Sequence, residues 1–138
     1  MKRRMKLIIA GSRTLTVQDL ELILKSVDLY LCKYDLQLSD ITEIVSGRAA
    51  GADTLGEQFA ELYRIPMTPF RPEYHKFAQK RAAPLARNTD MAAYADGAVI
   101  TWNGYSTGSL DMYRKMKAVQ KPVLLLKVVQ GNLEETSL

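Results

Sequence analysis

KLIIAGSR, Lys6 to Arg13, decides the architecture. Its first five residues form an apolar run rich in β-branched side chains, and the run stops at Gly11. A short segment that is apolar on both faces and empties into a glycine loop belongs in the interior of a parallel sheet covered by helices. Downstream, Leu20, Ile23, Leu24, Val27 and Leu31 recur at helical spacing between Val17 and Tyr34, with Thr16 placed to cap and Asp19 in the first turn. Thr42 to Val45 (TEIV) reads as a second strand, followed by a glycine-bearing loop from Ser46 to Gly51 and a helix from Asp53 to Tyr63. Ile65 to Phe70 (IPMTPF) reads as a third strand whose prolines suit a sheet edge.

Residues 71–84 are polar, basic and bounded by prolines. They read as a loop with one helical turn, and connections of that length commonly carry function. A helix from Leu85 to Tyr94, a strand from Ala98 to Thr101 (AVIT), a loop from Asn103 to Gly108 and a helix from Ser109 to Val119 follow. Val123 to Val128 is the last expected strand, and residues 129–138 read as a polar tail. Strands alternating with helices imply right-handed crossovers. The expected fold is therefore a single α/β domain over residues 1–138, a Rossmann-like three-layer α/β/α arrangement with a doubly wound, mostly parallel sheet of about five strands. Strand one is expected at its centre, with strands three and five outside.

Composition narrows the function classes. The chain has 138 residues, 47% of them hydrophobic and 25% charged, a balance suited to one core. No apolar run approaches the roughly 20 residues that a membrane-spanning helix needs, and the stretch after the basic N-terminus is too short for a signal-peptide core. A cytoplasmic location and no membrane partner are expected. The single cysteine, Cys32, cannot form an intrachain disulfide and reads as a small core or half-buried residue. The net charge of +4 favours an anionic partner. Part of it is the Lys2, Arg3, Arg4, Lys6 cluster, which suits a solvated lead-in to the first strand.

The unusual loops all fall at the carboxyl ends of the strands, where open α/β sheets bind ligands. Gly11, Ser12 and Arg13 follow strand one; Ser46, Gly47, Gly51 and Asp53 follow strand two; Gly104, Ser106, Thr107, Gly108 and Ser109 follow strand four. Two of these loops run directly into helices, so free backbone N–H groups and a positive helix end would face one site, a geometry suited to phosphate. Glycine allows close approach and the hydroxyls add donors. Arg13 and Arg87, the latter beside Asn88 early in the third helix, are placed to clamp phosphate. Trp102 and Tyr105 flank the fourth loop, where they suit either base stacking or strand-end packing. His75 is the only histidine, so no metal site is expected, and the reading calls for no cofactor.

Together, GSR after the first strand, VSGRAAGADTLGEQFA (45–60), ARNTDMAAYADGAVITWNG (86–104) and YSTGSLDM (105–112) resemble the SLOG superfamily of Rossmann-like proteins, in particular its small YspA-type, YpsA-related branch. The resemblance runs from about Lys6 to Val128. That superfamily includes the LOG phosphoribohydrolases, which split the N-glycosidic bond of a nucleoside monophosphate, and the DNA-processing protein DprA. The resemblance places Arg87 on the LOG arginine, Met91 on its methionine and Gly108-Ser109 on its Gly-Thr pair. The LOG glutamate falls on Met112, which can neither stabilise positive charge nor move a proton. The YspA-type pattern has a glycine where this chain has Arg48, and glycines near Ala78 and Ala83.

The leading expectation is accordingly a protein that binds, and so senses or sequesters, a nucleotide-like phosphorylated molecule. The first alternative is a LOG-like hydrolase of an N-glycosidic bond. Its catalytic candidates are Arg87, Asp53 and Glu57, the two acids suiting equally a helix N-terminal charge and a solvated helix face. The second alternative is DprA-like nucleic-acid binding. Because LOG relatives pair, the resemblance also implies a homodimer.

Overall fold

A computed structural model describes residues 4–138; Lys2 and Arg3 of the basic cluster lie outside the described residues. The strands are β1 (Met5–Gly11), β2 (Ile41–Ser46), β3 (Met67–Pro69), β4 (Gly97–Trp102), β5 (Val123–Val129) and β6 (Asn132–Thr136). The helices are α1 (Leu20–Lys33), α2 (Ala52–Leu62), α3 (Ala82–Tyr94) and α4 (Thr107–Ala118). The sheet runs β3-β2-β1-β4-β5-β6, with β6 alone antiparallel. This is the mostly parallel Rossmann-like α/β/α fold that the alternation of elements predicts.

Parity along the strands builds two cores. Leu7 and Ile9 of β1 and Val99 of β4 face α1 and α2, packing on Ile23, Val27, Leu55 and Phe59. Ile8 and Ala10 of β1 and Ile100 of β4 face α3 and α4, packing on Met91, Met112 and Met116. Both faces of β1 are therefore dry, which is why its sequence is an unbroken apolar run. The chain winds from β1 outward through β2 to β3, then returns to place β4 on the other flank of β1. The crevice beyond β1 and β4 is thus the point where the winding reverses.

Several expectations need correction. The supposed tail of residues 129–138 contains β6, joined to β5 through Gln130 and Gly131, both at positive φ as a two-residue hairpin turn requires. Only Leu133 of β6 packs on the core, so the strand lacks the alternation that would announce it. Strand five is consequently internal, while β3 is an edge as expected and is confined to Met67–Pro69. The third helix starts at Ala82 rather than Leu85, because Pro84 sits in its first turn, where a missing N–H costs nothing. Cys32 is exposed, on the outer side of α1. No helix among the described residues is long and apolar enough to cross a membrane.

Candidate functional site

Ser12 is the junction from which the site is built. Its N–H donates to the Thr101 carbonyl (2.9 Å) and its carbonyl accepts from Ala52 N (3.1 Å), tying β1 to β4 and to the start of α2. Its hydroxyl accepts from Asn103 N at 2.8 Å. These contacts demand bare backbone on either side. A Cβ on Gly11 would stand 2.0 Å from the Thr101 carbonyl oxygen, and one on Gly51, at φ +78°, would stand 2.2 Å from that of Ser12.

The loop after β2 is held largely by its own side chains and those of α2. The Ser46 hydroxyl donates to Glu57 Oε2 at 2.5 Å and accepts from Arg48 N at 3.1 Å. Arg48 pairs with the same carboxylate. Arg48 has φ +61°, a left-handed conformation that glycine adopts more readily than arginine. Asp53, 6% exposed, accepts from Ala49 N at 3.1 Å. Its carboxylate thus pins the loop to the first turn of α2, where the positive helix end favours negative charge. Burial pushes the Asp53 carboxyl up to about 6, against the opposing pull of the Ala49 N–H and the Arg87 charge.

Arg87 reaches this loop from α3. Its Nη1 donates to the Gly47 carbonyl and its Nε to Asn88 Oδ1 at 3.1 Å. Nη2 makes no hydrogen bond to a described residue. Burial lowers the arginine's proton affinity while Asp53 raises it. A Cβ on Gly47 would fall 2.7 Å from Arg87 Nη1 and 3.0 Å from Asp53 Oδ2, so glycine there lets the cation and the acid share one wall. Asn88 Nδ2 in turn donates to Asp111 Oδ2 (3.0 Å) and to the Gly108 carbonyl (3.3 Å), locking α3 against α4.

The loop after β4 is arranged differently. Asn103 Oδ1 accepts from Tyr105 N (3.0 Å) and Ser106 N (2.9 Å), which fixes the turn. Ser106 caps α4, its hydroxyl accepting from Ser109 N at 3.5 Å and from the Ser109 hydroxyl at 3.1 Å. The N–H groups of Thr107 and Gly108 have no partner among the described residues. This helix end therefore keeps donors available, with the positive end of the helix behind them.

Between these elements lies a cavity of about 80 Å³. Gly11 and Arg13 border it from the end of β1 and the loop beyond, Asp53 from α2, Arg87 and Asn88 from α3, and Ser106, Gly108 and Ser109 from the cap and first turn of α4. Met91 and Met112 form its apolar floor, and Met112 presents a thioether there. Ser12, Ser46, Gly47 and Gly51 stand behind the wall and hold its shape. Glu57 is occupied by Ser46 and Arg48 and does not border the cavity. Neither does Thr107, which is exposed, nor Gly104, which packs at φ +98° against Lys127. Trp102 shares the parity of Ile100, is buried in the core, and donates its indole N–H to the Ser106 carbonyl at 3.1 Å; its ring is not presented to the crevice. Tyr105 is 74% exposed and outside the cavity lining. Asn88's link to Asp111 was not foreseeable, since it depends on how α3 meets α4.

No family model matches the chain, and no curated protein matches its sequence. A solved structure does resemble it: that of DNA processing protein A (DprA) from Streptococcus pneumoniae, with a TM-score of 0.62 and 20% identity over 88% of this chain. The chain spans 50% of the length of that structure. At this identity the likeness shows architecture alone: this chain shares a Rossmann-like fold with half of that structure.

Proposed function

We propose that the protein binds the phosphate group of a nucleotide-like molecule in the cavity between Arg87 and the N-terminus of α4. The observation that carries this reading is the pairing of a buried guanidinium that has donors to spare with a helix end whose Thr107 and Gly108 N–H groups are unpaired among the described residues, across one small cavity. Two charge types of donor, backbone N–H and arginine, then meet one anion. The cavity of about 80 Å³ has room for a group of a few heavy atoms such as a phosphoryl group. Arg13, exposed at the rim, adds positive charge where a ligand enters.

Calorimetric titration with inorganic phosphate and with nucleoside 5′-monophosphates tests the reading. Binding is expected in the wild type, weakened about tenfold to a hundredfold in Arg87→Ala, as the loss of a charge-assisted hydrogen bond worth about 1.5–3 kcal/mol implies. Arg87→Lys keeps the charge but lacks the fork, and is expected to recover only part of the affinity. Absence of binding in the wild type, or equal binding in all three, sinks the proposal.

A second reading is favoured by Asp53, whose proton affinity near 6 suits a general acid or base beside the same cavity. In a LOG-like hydrolase it would have to replace the glutamate that Met112 lacks. Chromatography for free base after incubation with nucleoside monophosphates separates the two. The likeness to the DprA fold supports nucleic-acid binding as a third reading, and retention of single strands that falls steeply with salt is its signature.

A further inference from the structure

A second cavity, about 200 Å³, lies on the other side of α3. Helical periodicity explains the division. Pro84, Asn88 and Met91 border the phosphate-sized cavity, Ala83, Ala86 and Asp90 border the second, and Arg87 belongs to both. The far wall of the second cavity comes from the long segment before α3, which contains a single 3-10 turn, Tyr74–Lys76, and contributes Arg71, Glu73 and Phe77. The polar loop that the sequence singles out for its length is thus one side of a pocket.

The chemistry of this second space differs from that of the first. Phe77 is half-buried and Ala83 and Ala86 are small, which leaves an apolar slot. Around it stand the cations Arg71 and Lys76 and the carboxylates Glu73 and Asp90. Glu73 is paired with Lys76 at 2.7 Å, whereas Asp90 forms no salt bridge or hydrogen bond through its carboxylate among the described residues. A second phosphate would meet that carboxylate's repulsion. A flat heterocycle would bury its faces against Phe77 and offer its edge to the polar rim. A carboxylate only accepts hydrogen bonds, so it favours a base edge that carries an amino group.

Resting on the phosphate reading above, we propose that the cavity between α3 and residues 71–77 receives the base of the bound nucleotide, and that Asp90 and Phe77 select bases bearing an exocyclic amino group. Arg87 then stands between the two parts of the ligand, holding phosphate on one side and closing the base pocket on the other.

The test compares ribose 5-phosphate, AMP, CMP and UMP by calorimetry on the wild type, Phe77→Ala and Asp90→Asn. In the wild type AMP and CMP are expected to bind on the order of tenfold more tightly than ribose 5-phosphate, with UMP close to the sugar phosphate. Phe77→Ala brings AMP and CMP down towards ribose 5-phosphate. Asp90→Asn, exposed and able both to donate and to accept, narrows the gap between CMP and UMP while ribose 5-phosphate binding stays unchanged. Ribose 5-phosphate binding with no gain from any base, or with gains that neither substitution alters, overturns this inference alone. Failure of ribose 5-phosphate and of every nucleotide to bind overturns the phosphate reading and this one together.

Discussion

The loops after β2 and β4 look alike in sequence, each a run of glycine and hydroxyl residues leading into a helix, but the folded chain uses them in opposite ways. In the first, Ser46 and Arg48 are taken by Glu57, and a carboxylate, Asp53, stands in the first turn of α2, whereas the first turn of α4 holds no acid. The second holds its turn together with Asn103 and leaves the N–H groups of Thr107 and Gly108 unpaired. One loop is scaffold and the other is poised for an anion. A helix N-terminus therefore signals phosphate only when the chain has not already supplied its own acid there.

The largest expected effect comes from forcing a side chain into the loop after β2. Gly51 combines φ +78° with a Cβ position 2.2 Å from the Ser12 carbonyl oxygen and 2.5 Å from Arg13 Cα, both backbone atoms that cannot swing aside. Gly51→Ala is expected to cost about 3 kcal/mol or more, combining a strained backbone with overpacking. Denaturant unfolding checks this, and a loss below about 1 kcal/mol would mean that the junction at Ser12 is looser than described.

Asp53 gives the next effect, through pH. The group titrates near 6 in the folded chain and at about 3.9 when unfolded, so the folded state holds more protons between those values. Stability from this group is therefore full below about pH 4 and is lost as pH rises through 6. The shift corresponds to about 3 kcal/mol. Asp53→Asn keeps an acceptor for Ala49 N and removes the titration. The variant should match the wild type near pH 4 and exceed it by up to about 3 kcal/mol at pH 7.5. A difference that stays flat across that range would show that Asp53 is not the buried, unneutralised acid described.

Much of the fold was legible because burial on both faces leaves a plain mark: Leu7 to Ala10 (LIIA) and Ala98 to Ile100 (AVI) are unbroken apolar runs, and both lie in central strands. β6 was not legible, since one half-buried apolar residue, Leu133, cannot announce a strand. At the site, the sequence located the end of the sheet and the residue types, and Gly11, Arg13, Asp53, Arg87, Asn88, Ser106, Gly108 and Ser109 border one cavity. It did not reveal which hydroxyls are spent internally, because Ser12 and Ser46 are committed by Asn103 and Glu57, partners set by packing. Trp102 is a different case. Its shared parity with Ile100 on β4 already pointed it into the core, and the period of two was the signal to follow.

The smallest effect tests the open loop. A Cβ on Gly108 would meet no atom within 4 Å, and the residue lies in the first turn of α4 with no positive φ to require glycine. Nothing in the fold asks for glycine here, and alanine is the better helix former, so Gly108→Ala should raise stability by about 0.5 kcal/mol. The new methyl, however, enters the border of the cavity beside the unpaired N–H, where a phosphate oxygen would need bare backbone to approach. Stability should therefore rise while phosphate affinity falls, two movements in opposite directions. That divergence is what separates a glycine retained for a ligand from one retained for the fold, as Gly51 is. Were affinity untouched, the anion would have to sit against Arg87 without engaging the end of α4, and the contrast between the two loops would lose its functional meaning.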